Sequence, residues 1–311
     1  MSDVLVIVGP TASGKSALGA SLAERLGGEV VSADAFAVYR GLDIGTAKPD
    51  AATRSRVPHH LLDVADPRDR YSAGMFVRDA DAAIAGIRAR GRLPIVVGGT
   101  HFYVRALLYG LFPEPPKDPR LRQLLEAQWR ADPVAVRARL AALDPEAASR
   151  IAGSDRQRTL RAVEVCLLSG RPMTELWREH PRGEPRHIFL MLGLRLPRER
   201  LHARIAQRVE GMFAAGLLRE LEGLLAGGLS PNAHALKAIG YREACDVLVG
   251  SLTVQEAVER AKATTGRLAK RQMTWLRGET EVDWLAGAGE ELLAEATSRV
   301  EARGGTGTGA G

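Results

Sequence analysis

A glycine-rich turn near the amino terminus has the spacing of a phosphate-binding loop, G-x-x-x-x-G-K-[ST]. Its glycines allow the backbone to wrap so that successive N–H groups point inward, where they hold phosphate oxygens. Lys15 would neutralise a terminal phosphate, and the Ser16 hydroxyl would bind Mg²⁺. The predicted phosphate-binding residues are Gly9, Pro10, Thr11, Ala12, Ser13, Gly14, Lys15 and Ser16.

Two further polar residues follow short apolar runs that have the pattern of buried strands. Asp34 comes after Glu29–Ser32, and Thr100 ends a Gly-Gly-Thr turn after Leu93–Val97. Because the carboxyl ends of parallel strands line one crevice, we expect Asp34, Thr100 and the glycine-rich loop to meet there. A carboxylate in that place would accept a proton from a nucleophile, although an acid that caps a surface turn fits the sequence equally well.

The Gly-Gly-Thr turn departs from the pattern of nucleoside triphosphatases. Those proteins commonly end an apolar strand with an aspartate that holds Mg²⁺. Here Thr100 places a hydroxyl where that carboxylate is expected, which disfavours a triphosphatase. The neighbouring pair His59 and His60 lacks other ligand-type residues at metal spacing, so we expect turn or packing roles for it.

The runs that carry these residues alternate with helical patterns. Val4–Val8 is a continuous apolar run typical of a buried parallel strand. Leu18, Leu22 and Leu26 then mark a helix, and Tyr71–Ala89 has the pattern of another. The alternation predicts an α/β fold in which helices cover a parallel sheet.

The pattern changes after Leu111, where the proline-rich segment Phe112–Pro119 begins. Residues 120–180 are helical in pattern and contain no strand candidate. Ile188–Leu196 then alternates like a returning strand, and residues 197–300 are again mostly helical.

These changes predict a catalytic core that is interrupted by a second domain. We assign residues 1–115 and 186–300 to the core, and residues 116–185 to a helical insertion domain. Residues 301–311, which end in glycine, threonine and alanine, are predicted to form a disordered tail.

The chain carries a formal net charge of +6 and has a pI of about 9.6, which favours anionic partners such as phosphates or nucleic acid. No apolar stretch approaches the roughly 20 residues of a membrane span, and the amino terminus lacks the basic start of a signal peptide. Cys166 and Cys245 lie in apolar helical contexts without metal-binding spacing. We therefore expect a cytoplasmic, membrane-independent protein with reduced thiols.

A long helix is predicted over Val258–Arg277, with arginines on one stripe and apolar residues on another face. The apolar face includes Gln272 and Trp275, and for Trp275 we favour a core position over base stacking. The basic stripe suits RNA phosphates, but it also suits an ordinary solvated face. A second basic cluster, Arg156, Arg158 and Arg161, leaves the same two alternatives open.

Several motifs in one order resemble the tRNA dimethylallyltransferase family, also called the IPP transferases. The resemblance covers about residues 4–285 and is more specific than the phosphate loop alone. The motifs are Gly9–Ser16, Asp34 with Tyr39–Pro49, Val57–Leu61, Val97–Thr100, Asp155–Arg158 with Arg161–Val165, Ile239–Glu243 and Lys270–Arg277.

The resemblance implies a P-loop, nucleoside-kinase-like core and a helical insertion domain that grips the anticodon stem-loop of tRNA. It implies transfer of a dimethylallyl group from dimethylallyl diphosphate to N6 of the adenosine immediately 3′ of the anticodon, with Mg²⁺ as cofactor. By position, Asp34 is the general base and Thr100 contacts the leaving diphosphate. We expect the protein to act as a monomer.

The family's tRNA-contacting positions also carry over by position. In the first part of the chain they are Asp34, Ala35, Phe36, Ala37 and Thr100. In the predicted insertion they are Arg122, Gln157, Arg158, Thr159, Leu160 and Arg161. In the carboxyl-terminal part they are Ala238, Ile239, Gly240, Tyr241, Arg242, Glu243, Lys270, Arg271, Gln272, Met273, Thr274, Trp275, Leu276 and Arg277.

The sequence departs from the family pattern in two places. The family usually has Asp-Ser-x-Gln where this chain has Asp34-Ala35-Phe36-Ala37, so a hydroxyl and an amide that would bond the RNA are missing. After Gly-Gly-Thr the family commonly has glycine, and here His101 is expected to narrow the channel.

Three other functions must be distinguished from tRNA prenyl transfer. A small-molecule P-loop kinase would use ATP and a hydroxyl acceptor, and an adenylate prenyltransferase would use a free nucleotide. A non-catalytic RNA-binding protein would need none of Lys15, Asp34 and Thr100. The basic helix and the helical insertion favour a macromolecular acceptor over the first two.

Overall fold

The computed structural model describes residues 3–111, 115, 118–179, 183–286 and 289–305. Much of the predicted proline-rich boundary, Phe112–Pro119, lies outside these residues. The chain divides into two compact units, Met1–Leu108 with Pro185–Gly311, and Tyr109–Glu184.

A six-stranded sheet lies in the first unit, and every pair of neighbouring strands is parallel. The strands are β1 (Val4–Val8), β2 (Gly28–Ser32), β3 (His59–His60), β4 (Leu93–Val97), β5 (Phe189–Leu194) and β6 (Val282–Leu285). Their spatial order is β3-β2-β4-β1-β5-β6, so β1 lies between β4 and β5. The phosphate loop therefore leaves an interior strand of the sheet.

Helices make up most of the remaining regular structure. They are α1 (Lys15–Leu26), α2 (Ala51–Arg56), α3 (Ala73–Ala89), α4 (His101–Tyr109), α5 (Pro119–Ala131), α6 (Pro133–Leu143), α7 (Pro145–Arg150), α8 (Arg156–Ser169), α9 (Met173–Glu179), α10 (Arg198–Ala214), α11 (Leu217–Ala226), α12 (Tyr241–Leu248), α13 (Val254–Leu276) and α14 (Gly289–Gly305). A 3₁₀ helix covers His234–Lys237.

Both faces of the sheet are buried, as its apolar strands predict. Leu5 and Ile7 of β1 pack in one cluster with Leu18 and Leu22 of α1. The alternate residues of β1 point to the opposite face, and Val6 among them is fully buried as well. The prediction of a parallel sheet covered by helices is confirmed.

The helices of the second unit begin at strong local signals. The side chains of Asp118, Asp132 and Asp144 accept N–H bonds at the starts of α5, α6 and α7, and each is followed by proline at the first helical position. Asp155 caps α8 in the same way. These helices pack around a core of their own that includes Leu125, Leu140 and Leu160.

Most predicted elements agree with the structure to within a few residues. The strands at Val4–Val8 and Leu93–Val97 have the predicted bounds. Strands β3 and β6 were not predicted from the sequence, because each is short and lies at an edge of the sheet. The tail predicted to be disordered from residue 301 is wrong in part: α14 continues to Gly305, and residues 306–311 lie outside the described residues.

Candidate active site

The glycine-rich loop joins β1 to α1, and its own backbone forms a concave turn. Ala12 and Gly14 have φ angles of 63° and 101°, and the Ser13 N–H donates to the Pro10 carbonyl at 3.2 Å. The Lys15 ammonium donates to the same carbonyl, also at 3.2 Å. Backbone N–H groups in such a nest hold phosphate oxygens, so the predicted loop has the required conformation.

Asp34 and Thr100 together fold the segment that follows β2. Asp34 Oδ1 accepts hydrogen bonds from the N–H groups of Phe36 at 2.8 Å and Ala37 at 3.1 Å. Thr100 Oγ1 accepts one from the Ala35 N–H at 3.1 Å. One oxygen of the Asp34 carboxylate thus fixes the turn, and the two hydrogen bonds hold the carboxylate in one orientation.

The two glycines before Thr100 are required by close approach of their neighbours. A Cβ atom on Gly98 would lie 2.1 Å from the carbonyl oxygen of Ala33. On Gly99 it would lie 2.5 Å from Gln272 Nε2 and 3.4 Å from Lys15 Nζ. The Gly-Gly-Thr turn therefore brings Thr100 between the phosphate loop and the Asp34 turn.

Positive charge concentrates beside Asp34. Burial and, to a smaller extent, the Arg208 guanidinium lower the pKa of Lys15 to about 8, against the opposing effect of the Asp34 carboxylate. Burial also lowers the pKa of Arg208, again against the attraction of Asp34. The site thus presents cations that are already shielded from water, and they gain most when an anion binds.

Two arginines of α10 lie at this site that the sequence did not predict to be there. Arg204 donates to the carbonyl of Ser13 at 3.1 Å, and Arg208 reaches the Asp34 region. The residues are four apart and therefore share one helix face. The sequence shows that spacing, and it could have indicated a basic helix face. It could not show that this face lies beside the phosphate loop, because Arg204 and Ser13 are 191 residues apart.

A cavity of about 300 Å³ opens at this edge of the sheet. Its lining includes Thr11, Asp34, Phe36, Arg208, Lys237 and Arg271. The Phe36 ring stacks on His234 with centroids 6.2 Å apart. The volume is at the lower end for small-molecule sites, and the lining combines apolar walls with a few convergent charges.

The polar loop of residues 40–49 is held to the helices behind it. Glu220 of α11 accepts hydrogen bonds from the N–H groups of Asp43 at 3.1 Å and Ile44 at 2.9 Å. Tyr241 donates its hydroxyl proton to Glu220 and accepts from the Gly45 N–H at 3.2 Å. Glu220, absent from the predicted site, thus fixes a loop that lines the cavity through Gly45.

His101 packs against α13. Its ring stacks on Trp275 with centroids 5.4 Å apart and an interplanar angle of 11°, and the Arg105 guanidinium lies 5.6 Å from the Trp275 ring. Burial and the Lys15 charge lower the pKa of His101 to about 4, so the ring is neutral at pH 7. Trp275 is 37% exposed, so its predicted core position is wrong.

The structure divides the predicted tRNA-contacting residues of the first unit into three groups. Exposed side chains belong to Arg242, Lys270, Arg271, Thr274, Trp275 and Arg277. Half-buried residues are Asp34, Ala35, Phe36, Thr100, Ile239 and Met273. Buried residues are Ala37, Ala238, Gly240, Tyr241, Glu243, Gln272 and Leu276. Among the buried residues, Ala238 and Gly240 line the cavity that holds Asp34.

The second unit holds the remaining predicted contacts. Gln157 and Arg158 are exposed at the start of α8, whereas Thr159 and Leu160 are buried. Arg122 Nε donates to Glu126 at 3.3 Å, and Arg161 lies 2.9 Å from the buried carboxylate of Glu164. Arg122 and Arg161 are thus ion-paired within the unit. Arg158 lies 3.5 Å from the Asp155 carboxylate but exposes 77% of its side chain to solvent.

The histidine pair lies in β3, beside β2. His60 Nε2 is 2.6 Å from the Glu29 carboxylate, which also binds Arg90 at 2.7 Å. Among the described residues, no group of three or more histidine, cysteine, aspartate or glutamate side chains is arranged to hold a metal ion. No helix in the described part of the chain is long and apolar enough to cross a membrane.

A parallel sheet whose interior strand β1 runs into a nest-forming G-x-x-x-x-G-K-S loop, with an acid after β2, two strands away at the same edge, defines a P-loop α/β protein. The comparisons narrow this class. The family model "IPP transferase" matches residues 37–279, and the model "Isopentenyl transferase" matches residues 2–60.

Relatives and solved structures agree with the family models. The tRNA dimethylallyltransferase of Anaeromyxobacter dehalogenans is 50% identical over 91% of this chain and 94% of its own length. That of Halorhodospira halophila is 51% identical over 90% and 91%. The tRNA isopentenylpyrophosphate transferase of Bacillus halodurans is 36% identical, covers 97% of both chains and has a TM-score of 0.72. A eukaryotic dimethylallyltransferase acting on tRNA is 28% identical, covers 97% of this chain and 77% of its own, and has a TM-score of 0.79.

This chain belongs to the IPP transferase family and is an enzyme of the prenyltransferase class.

Proposed function

We propose that the protein transfers a dimethylallyl group from dimethylallyl diphosphate to N6 of the adenosine immediately 3′ of the anticodon in tRNA. The observation that carries this proposal is the placement of the Asp34 carboxylate, fixed by its own turn, in a cavity beside Lys15 and Arg208. Both the donor's leaving group and the acceptor's proton then have a partner in one site.

The donor end of the reaction needs stabilisation of negative charge. As the bond between the allylic carbon and the diphosphate oxygen breaks, its electron pair leaves with the diphosphate. Loop N–H groups, Lys15 and Arg208 face that growing charge from a partly buried position, where such interactions are strongest. Thr100 is proposed to contact the same diphosphate through its hydroxyl.

At the acceptor end, the adenine N6 amine forms the new bond to the allylic carbon. Its lone pair is delocalised into the ring, so removal of the N6 proton assists the attack. Asp34 Oδ2 is proposed to take that proton, a step typically worth about 10²- to 10⁴-fold in rate. The apolar lining of the cavity, which includes Phe36, excludes water that would otherwise capture the allylic cation.

Mg²⁺ fits the donor set as a metal that is bound mainly by substrate oxygens. Ser16 presents a hydroxyl at the exposed first turn of α1, next to the loop, which is the usual protein ligand in this position. When bound, Mg²⁺ would neutralise charge on the diphosphate.

tRNA is the acceptor that the surface supports. Lys270, Arg271 and Arg277 expose cations on and beside α13, and Arg158 does so in the second unit. Contacts to RNA phosphates provide the free energy to flip the target base, which costs a few kcal/mol. We propose that the second unit, Tyr109–Glu184, grips the anticodon stem-loop and that the enzyme works as a cytoplasmic monomer.

The test is transfer of labelled dimethylallyl from its diphosphate, with total tRNA, an anticodon stem-loop, AMP and ATP offered in parallel. We expect label in the tRNA and the stem-loop only, and only with Mg²⁺ present. Label in AMP would instead identify an adenylate prenyltransferase. ATP consumption without label would identify a small-molecule kinase.

A further inference from the structure

Gln272 forms a bridge between the two loops that surround the proposed diphosphate site. Its Oε1 accepts a hydrogen bond from the Thr11 N–H at 2.8 Å, and its Nε2 donates one to the Gly99 carbonyl at 2.8 Å. The partners lie 261 and 173 residues away in sequence, and the Gln272 side chain is buried at 8% exposure. One amide therefore connects the phosphate loop, the Gly-Gly-Thr turn and α13.

The orientation of this amide is fixed by its partners. A backbone N–H can only donate and a carbonyl can only accept, so the Thr11 and Gly99 bonds determine which atom is oxygen and which is nitrogen. Both bonds have normal lengths, and the missing side chain of Gly99 provides the space for Nε2. A glutamate, which has the same length, could make both bonds only when it is protonated.

The same turn of α13 carries the charges proposed to bind RNA. Lys270 and Arg271 precede Gln272 directly and are exposed, and Arg271 lines the cavity that holds Asp34 and Thr11. Because a helix is stiff over one turn, a shift of these residues moves Gln272 with them. The helix thus joins an external anion-binding face to the interior of the donor site.

We propose that Gln272 is a positioning residue: it holds the phosphate loop and the Gly99–Thr100 turn in register, and it couples polyanion binding on α13 to the affinity for diphosphate. The inference rests on the proposed function for its substrates. It assigns Gln272 a role inside the protein, through the loops it connects and without contact to the reacting atoms.

Kinetics of Gln272→Met test the positioning role, because methionine keeps the side-chain length and removes both hydrogen bonds. We expect kcat/KM for the donor to fall about tenfold to a hundredfold, while the Kd for the stem-loop measured without donor stays unchanged. Gln255→Met is the matched control, since Gln255 is exposed near the start of the same helix. Wild-type donor kinetics in Gln272→Met, or an equal loss for both substrates together with a lower Tm, would overturn the role.

Gln272→Glu separates the two hydrogen bonds by pH. An ionised glutamate still accepts from Thr11 but opposes the Gly99 carbonyl, whereas a protonated one donates to it. We expect the activity of this variant, as a ratio to wild type at each pH, to rise as pH falls. A ratio that stays flat with pH would show that the Gly99 bond has no effect on the site.

Coupling is measured without turnover, by the rise in Tm that inorganic diphosphate with Mg²⁺ produces in the full chain. We expect the anticodon stem-loop to increase this shift in wild type and in Gln255→Met, but not in Gln272→Met. Equal increases in all three would overturn the coupling. If the wild type binds diphosphate but does not transfer the prenyl group, the proposed function is contradicted. The coupling can still be determined in that case, because the Tm measurement does not depend on turnover.

Discussion

The phosphate loop and the exposed face of α13 belong to the same compact unit, yet they hold their cations differently. Lys15 is partly buried, bonded to the loop's own backbone and surrounded by other fixed groups, and its pKa is lowered to about 8. Lys270 and Arg271 extend into solvent. The difference suits the two proposed roles: a small leaving group needs fixed geometry, whereas a long polyanion needs charges that can adjust to it.

The largest expected effect comes from replacing Asp34, the carboxylate that lies beside the cations of the phosphate loop. Replacing Asp34 with asparagine keeps an oxygen that can accept the Phe36 and Ala37 N–H bonds, so the turn should survive while the base is lost. We expect kcat to fall by about 10²- to 10⁴-fold with stem-loop binding intact. Single-turnover transfer and a binding titration measure the two quantities.

Asp34→Ala serves as the companion variant, because it removes both the base and the turn. It should lose transfer to the same extent and also lower Tm. Near wild-type turnover in either variant would exclude Asp34 as the base.

Replacing Lys15 tests the rigid phosphate loop. Lys15→Met should lower kcat/KM for the donor by about 10²- to 10³-fold, as the loss of one buried stabilising donor does. In the proposed function the protonated Lys15 amine binds diphosphate and the neutral amine does not, so wild-type donor kcat/KM should decline as pH rises through about 8. Rate profiles from pH 6 to 10 on the free enzyme would show this.

Lys15→Arg provides the control for the pH prediction. A guanidinium keeps its proton throughout that range, so the decline should move to higher pH. An unchanged decline would assign the titration to another group.

Gly99→Ala tests whether the fixed geometry depends on close packing. The new methyl group would lie 2.5 Å from Gln272 Nε2, so the bridge or the turn must shift. We expect about tenfold lower kcat/KM for the donor, in line with the 1–3 kcal/mol typical of overpacking. Gly223→Ala on α11, where no atom lies within 4 Å of the added carbon, should leave donor kinetics unchanged.

Replacing single exposed arginines that are proposed to contact RNA should give the smallest effects. Arg271→Ala and Arg158→Ala should each weaken tRNA binding modestly and reduce its salt-dependence slope by about 0.7, the value for one lost phosphate contact. Arg78→Ala on α3, an exposed arginine outside the predicted contacts, is the control. Unchanged slopes would place Arg271 and Arg158 on an ordinary solvated surface.

The sequence predicted those features that depend on local chemistry. The apolar runs of β1 and β4, the spacing of the phosphate loop and the position of Asp34 after β2 are all encoded within short windows. For this reason the fold class and the meeting of Asp34, Thr100 and the loop at one sheet edge were predictable.

Features that depend on distant segments were not predictable in this way. Gln272 was placed on the apolar side of its helix and among the RNA contacts, but its bonds to Thr11 and Gly99 exist only because the fold brings α13 to the loop. Arg208 and Glu220 were missed for the same reason. Trp275 was predicted to be buried from its spacing, yet its position at the end of α13 leaves it stacked on His101 and partly exposed.

The position of β1 in the sheet has a consequence for synthesis on the ribosome. All five residues of β1 pair with β5, which ends at Leu194. The helices between Tyr109 and Glu184 have a core of their own and are translated before β5. A nascent chain can therefore fold its helical unit first. The phosphate loop can be fully supported only after β5 has paired with β1 and Gln272 has connected the loop to Gly99. Chains truncated before α13 would carry the loop sequence and lack the assembled site.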